Sequence, residues 1–425
     1  MKTILPLLIA MLCLSLNSRA QKTPDQNSTP VIHQVNISSQ KKFVNDAKAL
    51  IGLMGKKRIV ALGEGTHGTA EFYKLRYWIT RELIEKHGFT HIALENDLSD
   101  GLLLNQELNG KADLNSIMKK RLLSIWQNEE TKELLTWVRN YNQTHKKRVS
   151  IDGIDYVYLN SDIEALRKVL TGEAAFSAGI EQLQAPASLQ DEVWEAMNKK
   201  DVKVDFPAMY KSSYKGYLVA DSLDQRINAS NLSAEIKSAS HLIMMNIKQG
   251  FSPFYHYITK TNEPSRDVNM AGNVAEILKN SNDKMVIWAH NAHVAKTGVF
   301  NNTVGGMGGE IAKLFPGQYF VMGTGTATGT FAATEQSRDS YTNPMKAYPL
   351  EKTVADSWET QFLTNSKPAF YFFPTQYNSK NEVKPIRFIG YGPKSDPSTN
   401  EKTNISQHFD AFLFVSNSNA ASPLK

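Results

Sequence analysis

Residues 63–68 read Gly-Glu-Gly-Thr-His-Gly and form a turn that carries both a carboxylate and an imidazole. Glutamate and histidine side chains can transfer protons, and the spacing of Glu64 and His67 lets both face one pocket. The glycines allow the turn to pack tightly against whatever covers it. The turn therefore predicts a proton-transfer site with His67 and Glu64 as catalytic residues, and capping of the following helix is the simpler alternative.

The same glycine spacing also fits a dinucleotide-binding turn. Gly63-x-Gly65-x-x-Gly68 lies between a predicted strand and a predicted helix, and Glu95 falls near the position of a ribose-binding acid. Glu64 argues against this interpretation, because two negative charges about 4 Å apart repel by about 1 to 4 kcal/mol, depending on the effective dielectric. We therefore disfavour a bound pyrophosphate in this turn.

Two further histidines follow another apolar run. The segment 288–293 reads Trp-Ala-His-Asn-Ala-His, and Glu95 ends an earlier run. Side chains that follow neighbouring parallel strands meet at one sheet edge, so Glu95, His290 and His293 are further catalytic candidates. With Glu64 they could also hold zinc, but the His-Glu-x-x-His signature is absent. We therefore expect neither a metal nor a cofactor.

Two arginines and one tyrosine complete the set of site candidates. Arg76 lies nine residues after His67 on a predicted helix, where it could pair with a carboxylate or stabilise an oxyanion. Arg266 and Tyr255 are predicted to bind substrate, and Tyr255 belongs to an aromatic group that could line an apolar pocket or simply pack between helices. Asp267 is interpreted as a helix-start residue.

These residues need a scaffold that brings strand ends together. Apolar runs end in polar turns and alternate with segments of helical spacing. The runs cover residues 59–62, 91–94, 149–151, 285–288 and 319–322. Such alternation predicts an α/β fold with a mostly parallel central sheet flanked by helices, and ligands bind at the carboxyl ends of such strands.

The same patterns divide the chain. Residues 41–161 and 281–415 form the predicted α/β core, with a last strand at 410–415 and long polar loops over 330–405. Residues 162–280 have helical spacing and predict a helical insertion, or subdomain, over the cleft.

Both ends of the chain have distinct compositions. Residues 1–20 read as a cleaved signal peptide, with a positive start, a short apolar stretch and a Ser-Arg-Ala cleavage site. We therefore expect a periplasmic or secreted protein. Residues 21–40 predict a disordered spacer, and residues 416–425 predict a flexible tail.

Composition excludes several classes of function. Removal of residues 1–20 takes away Lys2, Arg19 and the single cysteine, Cys13, which lowers the net charge from +6 to +4. The mature chain then has no disulfide and no cysteine nucleophile, and its charge is too dilute for a nucleic-acid surface. Neither a Gly-x-Ser-x-Gly elbow nor a Walker loop occurs. We expect a monomer that acts on a small molecule, without a nucleic-acid or membrane partner.

The ordered set of motifs resembles the erythromycin esterase family. The resemblance runs from about residue 45 to the last predicted strand and rests on the turn 63–68, Arg76, Ala93-Leu-Glu95, Arg266-Asp267 with Met270 and Asn273, and the segment 288–293. It implies hydrolysis of the macrocyclic lactone ester of macrolide antibiotics without a covalent serine intermediate, and macrolide resistance as the outcome. It also implies an α/β core with a helical subdomain over a wide cleft.

By that resemblance, His67 is the general base, and Glu64, Arg76, Glu95, His290 and His293 support it. A neutral His67 would take a proton from water as the water attacks the ester carbonyl, and His290 could protonate the leaving alkoxide. Two alternatives stay open: a family hydrolase that acts on another ester, and an exported protein that binds a metal or haem without turnover.

Overall fold

A mixed sheet runs through the protein in the computed structural model, which describes residues 31–199, 202–279, 281–336 and 338–424. Within these residues the strands are β1 (His33–Gln34), β2 (Ile59–Glu64), β3 (His91–Asp97), β4 (Ser150–Asp155), β5 (Met285–His290), β6 (Tyr319–Ala333), β7 (Lys346–Pro349), β8 (Ala369–Phe372), β9 (Lys384–Arg387), β10 (Asn400–Thr403) and β11 (Ala411–Ser418).

The centre of the sheet is parallel. Its order is β1-β8-β11-β6-β2-β5-β3-β4, in which every neighbouring pair from β11 to β4 is parallel. Strands β1, β8 and β7 pair antiparallel, and β9 and β10 form a separate ribbon. The predicted α/β class is confirmed. Four of the five apolar runs lie within β2, β3, β5 and β6, and the run 149–151 begins one residue before β4.

Helices cover both faces of the sheet. They are α1 (Gln40–Asp46), α2 (Lys48–Met54), α3 (Ala70–His87), α4 (Leu98–Leu108), α5 (Leu114–Arg121), α6 (Glu129–Thr144), α7 (Leu159–Val169), α8 (Ala174–Ala196), α9 (Phe206–Ala229), α10 (Ala234–Thr259), α11 (Arg266–Leu278), α12 (Asn291–Val294), α13 (Met307–Leu314), α14 (Trp358–Leu363), α15 (Pro374–Tyr377) and α16 (Ile405–His408).

The run 59–62 in strand β2 is apolar throughout because both faces of the strand are buried. Val60 and Leu62 pack into the core on the α3 side, and Ile59 and Ala61 pack into the core that contains Met270 of α11. A parallel strand buried on both faces loses the polar alternation of a half-exposed strand. The carboxylate of Glu64 follows at its carboxyl end, which is fully buried.

Helices α7 to α10 pack on one another around an apolar core of their own. Gly216 of α9 allows close approach to Phe251 of α10 and Pro186 of α8. Helix α11 instead packs against β4 and α13, so it belongs to the layer beside the sheet. The described part of 162–280 is helical, and its status as a separate insertion over the cleft stays a prediction.

Two predictions near the carboxyl terminus are wrong. The expected loops over 330–405 contain β7 to β10 and two helices, and β8 is part of the main sheet. The expected flexible tail is bound over its described residues, since Ala421 is buried and its amide donates to the carbonyl of Gly68 at 2.8 Å. Composition cannot reveal these contacts, because the tail pairs through main-chain atoms with residues far away in the sequence.

Only part of the predictions for residues 1–40 can be compared with the structure. The signal peptide 1–20 lies outside the described residues, as does most of the spacer 21–40. The described end of that spacer is ordered, because His33 pairs with Tyr371 of β8 and Ser39 caps α1. Over the residues that the structure describes, no helix has the length and apolar character needed to cross a membrane.

Candidate active site

The glycines at the end of β2 allow the turn 63–68 to pack against other backbone segments. Gly68 has φ +71°, and a Cβ atom there would lie 2.0 Å from the carbonyl oxygen of Ala332. A Cβ atom on Gly63 would lie 2.3 Å from Oδ1 of Asn291. The glycine pattern therefore serves close packing of the turn between β6 and the segment that follows β5.

Glu64 contacts two other predicted site residues, His67 in the same turn and Arg76 in α3. Its Oε1 lies 2.8 Å from Nδ1 of His67, and its Oε2 accepts from Nη2 of Arg76 at 2.7 Å. A carboxylate can only accept, so Nδ1 of His67 carries a proton, and Nε2 is the basic nitrogen whenever the ring is neutral. This is the tautomer that a general base requires.

Aromatic rings surround the guanidinium of Arg76. Its central carbon lies 4.9 Å from the ring centroid of Tyr73, 5.6 Å from that of Trp126 and 4.8 Å from that of Trp288. Arg76 is fully buried, and its Nε and Nη1 have no hydrogen-bond acceptor among the described residues. Ring faces attract this cation. Of its two predicted roles, the geometry favours pairing with a carboxylate over contact with an oxyanion.

Glu95 contacts three other predicted site residues: His290, His293 and Arg266. Its Oε2 accepts from the main-chain amide of His290 at 2.8 Å, and its Oε1 lies 3.3 Å from both Nε2 of His293 and Nη2 of Arg266. Burial raises the pKa of Glu95, but the charges of His293 and Arg266 outweigh burial and hold this pKa well below its usual range. Glu95 is therefore ionised.

His293 lies between two carboxylates. Its Nδ1 is 2.8 Å from Oδ1 of Asp267, opposite the Glu95 contact at Nε2. Burial lowers the pKa of His293, but Glu95 and Asp267 together raise it to about 10. The ring is thus an imidazolium at neutral pH.

Asp267 has a larger role than its sequence position suggested. Ser265 caps α11, whereas Asp267 accepts from the amides of Gly305 and Met307 in addition to its contact with His293. The helix-start interpretation of Asp267 is therefore incomplete. Its position beside the predicted Arg266 is the only sequence signal that pointed to it.

His290 is neutral. Its Nε2 lies 3.2 Å from the carbonyl oxygen of Ile389, and its Nδ1 accepts from the amide of Ala292 at 3.3 Å. Burial and the positive charges of His67 and His293 hold the pKa of His290 well below its usual range. The rings of His67 and His290 lie 4.9 Å apart between centroids, so the structure brings together the turn after β2 and the turn after β5.

The pKa of His67 is shifted upward, opposite to that of His290. Burial lowers its pKa, but the hydrogen bond and charge of Glu64, with smaller effects from Glu95 and Asp339, raise it above the ordinary histidine value. The side chain is only 8% exposed. A raised pKa makes His67 a stronger base than a free histidine, provided that the ring is deprotonated.

The two predicted substrate-binding residues differ in position. Nε of Arg266 lies 3.1 Å from both carboxylate oxygens of Asp155, and its side chain stays 38% exposed beside Glu95. Tyr255 stacks on Tyr217 of α9 with ring centroids 4.1 Å apart, within the helical part of the protein. Arg266 therefore lies beside Glu95 and Asp155 in the candidate site, whereas a substrate contact of Tyr255 stays a prediction.

Sequence reasoning missed two carboxylates at this site. Asp155 ends β4 as Glu95 closes the apolar part of β3, so the strand-end rule could have found it. Asp339 lies on a loop and interacts electrostatically with Arg266, Glu95 and His67. No local pattern marks it. Among the described residues, no group of three or more His, Cys, Asp or Glu side chains is arranged to hold a metal ion.

Comparison with known proteins identifies the family. The family model for erythromycin esterase matches residues 84–418. The chain belongs to the erythromycin esterase family. The match starts after the turn 63–68 and includes Glu95, Arg266 and both histidines of the segment 288–293.

One member of the family resembles the chain in sequence, and two solved structures resemble it in fold. Erythromycin esterase type II of Escherichia coli is 27% identical over 282 residues, which cover 60% of this chain and 64% of that protein. A histidine-to-asparagine mutant of the erythromycin esterase EreC, solved in its open conformation, superposes with a TM-score of 0.70 at 18% identity, covering 93% of this chain and 100% of that one. A succinoglycan biosynthesis protein gives a TM-score of 0.75 at 18% identity, covering 93% and 96%. These two structures share the fold.

Proposed function

We propose that the protein hydrolyses the macrocyclic lactone ester of erythromycin-like macrolides with water activated by His67. The observation that carries this proposal is the buried series of contacts from Arg76 through Glu64 to His67, which leaves Nε2 of His67 free to accept a proton. Membership in the erythromycin esterase family supports the substrate class.

The first step is the attack of water. Nε2 of His67 takes a proton from the water molecule as its oxygen bonds to the ester carbonyl carbon. Glu64 keeps the imidazole in the required tautomer and stabilises the imidazolium that forms, because its negative charge lies 2.8 Å from Nδ1. Arg76 holds Glu64 in turn, so we assign it a positioning role.

Negative charge then develops on the carbonyl oxygen. Arg266 and protonated His293 are the cations beside Glu95, and Arg266 is the more exposed of the two. We propose that the tetrahedral oxyanion forms on their side of the cluster, since fixed charges stabilise it without reorganisation. Their carboxylate partners, Asp155, Asp267 and Glu95, fix both groups in place.

Incubation with erythromycin tests this function directly. We expect mass spectrometry to show a product heavier by one water molecule. His67→Ala should lower the rate by about 10²–10⁴-fold, the usual contribution of a general base. His145→Ala is the matched control, because His145 is exposed on the protein surface. Intact drug after long incubation with wild-type protein would exclude a macrolide esterase, and a near wild-type rate for His67→Ala would exclude the mechanism.

We also propose that the enzyme acts outside the cytoplasm and protects the cell by destroying the drug before entry. The support is the signal-peptide pattern of residues 1–20. Cell fractionation tests the location: we expect activity in the periplasm or medium, and activity confined to the cytoplasm would contradict export. Expression in a susceptible strain should raise its tolerance of erythromycin, whereas His67→Ala should not.

A further inference from the structure

We propose that Asp162 is an uncharged carboxylic acid at neutral pH, paired with the amide of Asn246 through two hydrogen bonds, and that its ionisation is a pH-sensitive switch that loosens α7 from α10. Asp162 lies on α7 and Asn246 on α10, and both side chains are fully buried. The protonation of Asp162 does not depend on the proposed ester hydrolysis, whereas its effect on the candidate site rests on that function.

Two oxygens of this pair lack hydrogen-bond partners. Nδ2 of Asn246 donates to Oδ1 of Asp162 at 3.0 Å, and the hydroxyl of Ser99 donates to the same oxygen. Oδ2 of Asp162 and Oδ1 of Asn246 are buried and have no donor among the described residues. An ionised carboxylate and an amide oxygen can only accept, so both oxygens would stay unsatisfied at a cost in free energy. A proton on Oδ2 makes Asp162 a donor to Asn246 and satisfies both.

Asp162 differs from three neighbouring carboxylates in having an oxygen free for a proton. Asp97 accepts two main-chain amides on each of its oxygens. Asp191 accepts one main-chain amide on each oxygen. Asp100 accepts from Arg121 on Oδ1 and from two hydroxyls on Oδ2. Because hydrogen bonds to a carboxylate favour its ionised form, the proton of this group of four belongs on Asp162.

The surroundings of Asp162 explain why it keeps the proton. The ionisable groups that face it are Asp97 at the end of β3, Asp100 of α4 and Asp191 of α8, and α10 contributes the uncharged Asn246. Arg121 of α5 contacts Asp100 but pairs with two glutamates as well. Burial raises the pKa of Asp162 to about 8, and the charges of Asp100 and Asp191 add to this effect, although hydrogen bonds from Ser99 and Asn246 oppose it.

Helix α10 connects this pair to the candidate site. Asn246 and Gln249 are three residues apart on α10, so they lie on one face of the helix. Nε2 of Gln249 donates to Oδ1 of Asn273 on α11 at 2.8 Å, and Nδ2 of Asn273 donates to the carbonyl of Ile154 at 2.9 Å. Ile154 directly precedes the β4 carboxylate that binds Arg266, the first residue of α11. Ionisation of Asp162 should therefore loosen α10 and, through α11, the position of Arg266.

Urea unfolding of Asp162→Asn at several pH values tests the proposal. The pKa of Asp162 is 3.8 in the unfolded chain and about 8 in the folded protein, so its contribution to stability is complete below pH 3.8 and is lost as the pH rises through 8. Asparagine keeps the paired geometry but cannot ionise. We expect the unfolding equilibrium constant of wild type, divided by that of Asp162→Asn, to rise about tenfold per pH unit between pH 5 and 7.

Infrared spectroscopy identifies the proton directly. Wild type at pH 7 should show the carbonyl band of a protonated carboxyl group that Asp162→Asn lacks, and this band should vanish as the pH passes 8. Asp221→Asn is the control, because Asp221 lies on α9 with a side chain that is 45% exposed, and it should change neither readout. If Asp162→Asn does not fold, Ser99→Ala decides: without the hydroxyl that donates to Oδ1, the band should persist to higher pH.

Each result separates the proton from its consequence. A ratio of equilibrium constants that is constant with pH, or a missing band in folded wild type, would overturn the protonation of Asp162. The rate of erythromycin hydrolysis at pH 9 relative to pH 7 should be higher in Asp162→Asn than in wild type, and equal ratios would overturn the connection to the site. If wild type hydrolyses no macrolide at any pH, the proposed function fails, whereas the urea and infrared results still decide the state of Asp162.

Discussion

At the residue scale, Glu64 is the central group of the site. It is fully buried and accepts hydrogen bonds from a histidine and an arginine on opposite oxygens. A position in a turn would by itself predict that removal of Glu64 leaves the fold intact. Burial changes that expectation, because removal of one partner of a buried ion pair leaves the other charge uncompensated, at a cost of about 3–5 kcal/mol. Glu64→Ala should therefore destabilise the protein as well as inactivate it.

Glu64→Gln isolates the electrostatic effect on the base. Glu64 raises the pKa of His67, and catalysis needs the deprotonated ring, so wild-type kcat/KM should fall as the pH drops through a pKa above 6.5. Loss of the negative charge should move this acid limb to lower pH and reduce the maximal rate. A pH–rate profile measures both effects. An unchanged acid limb in Glu64→Gln would show that another group controls it.

At the scale of elements, His293 fastens the turn after β5 to α11 and to the loop around Gly305. Asp267 makes this connection, because it accepts from His293 and from the amides of Gly305 and Met307. The cluster therefore docks three segments on one another, and the proposed stabilisation of the oxyanion depends on the same contacts. A substitution in it should alter stability and activity together.

The stability of this element should depend on pH. The pKa of His293 rises from 6.5 in the unfolded chain to about 10 in the folded protein, so its contribution is complete below pH 6.5 and is lost as the pH rises through 10. His293→Asn should lower the urea midpoint at pH 6 by more than at pH 10. Equal differences at both pH values would mean that His293 is not protonated in the folded state.

Two glycines in left-handed conformations allow the effect of backbone strain to be measured apart from the effect of close packing. Gly68 and Gly88 have φ values of +71° and +75°, but only a Cβ at Gly68 would strike another backbone segment. Gly88→Ala should cost about 1–2 kcal/mol and keep activity. Gly68→Ala should cost more and displace His67, with a large loss of kcat. Thermal melts and erythromycin kinetics compare the two variants; similar effects would contradict the packing argument.

At the scale of the whole molecule, sequence patterns predicted the parallel sheet well, because buried strands must be apolar on both faces. They also placed Glu64, His67, Glu95, His290 and His293 at strand ends, where the fold brings them together. They could not place Asp339 or the bound tail. The positions of these segments depend on main-chain contacts with distant parts of the chain, which leave no periodic signal in the sequence.

The bound tail gives a prediction at the same scale. The main chain of Ala420 pairs with Thr69, and the carbonyl of Ser422 accepts from the amide of Glu129 at 2.8 Å. Deletion of residues 419–425 should therefore reduce activity strongly, because it removes the support of the catalytic turn at Gly68. Activity assays and near-UV circular dichroism would detect this loss. Full activity of the truncated protein would show that the turn is stable without the tail.

The pairing of this tail with Gly68 and Thr69 also determines when the turn 63–68 can be completed during biosynthesis. A ribosome releases the turn 63–68 long before it reaches residues 419–424, so the nascent chain lacks the partner of this turn for most of its synthesis. Contacts of such long sequence separation also form late in folding, because loop-closure entropy must be overcome first. We therefore expect the candidate site to be among the last parts of the molecule to be completed, and a prematurely terminated chain to be inactive.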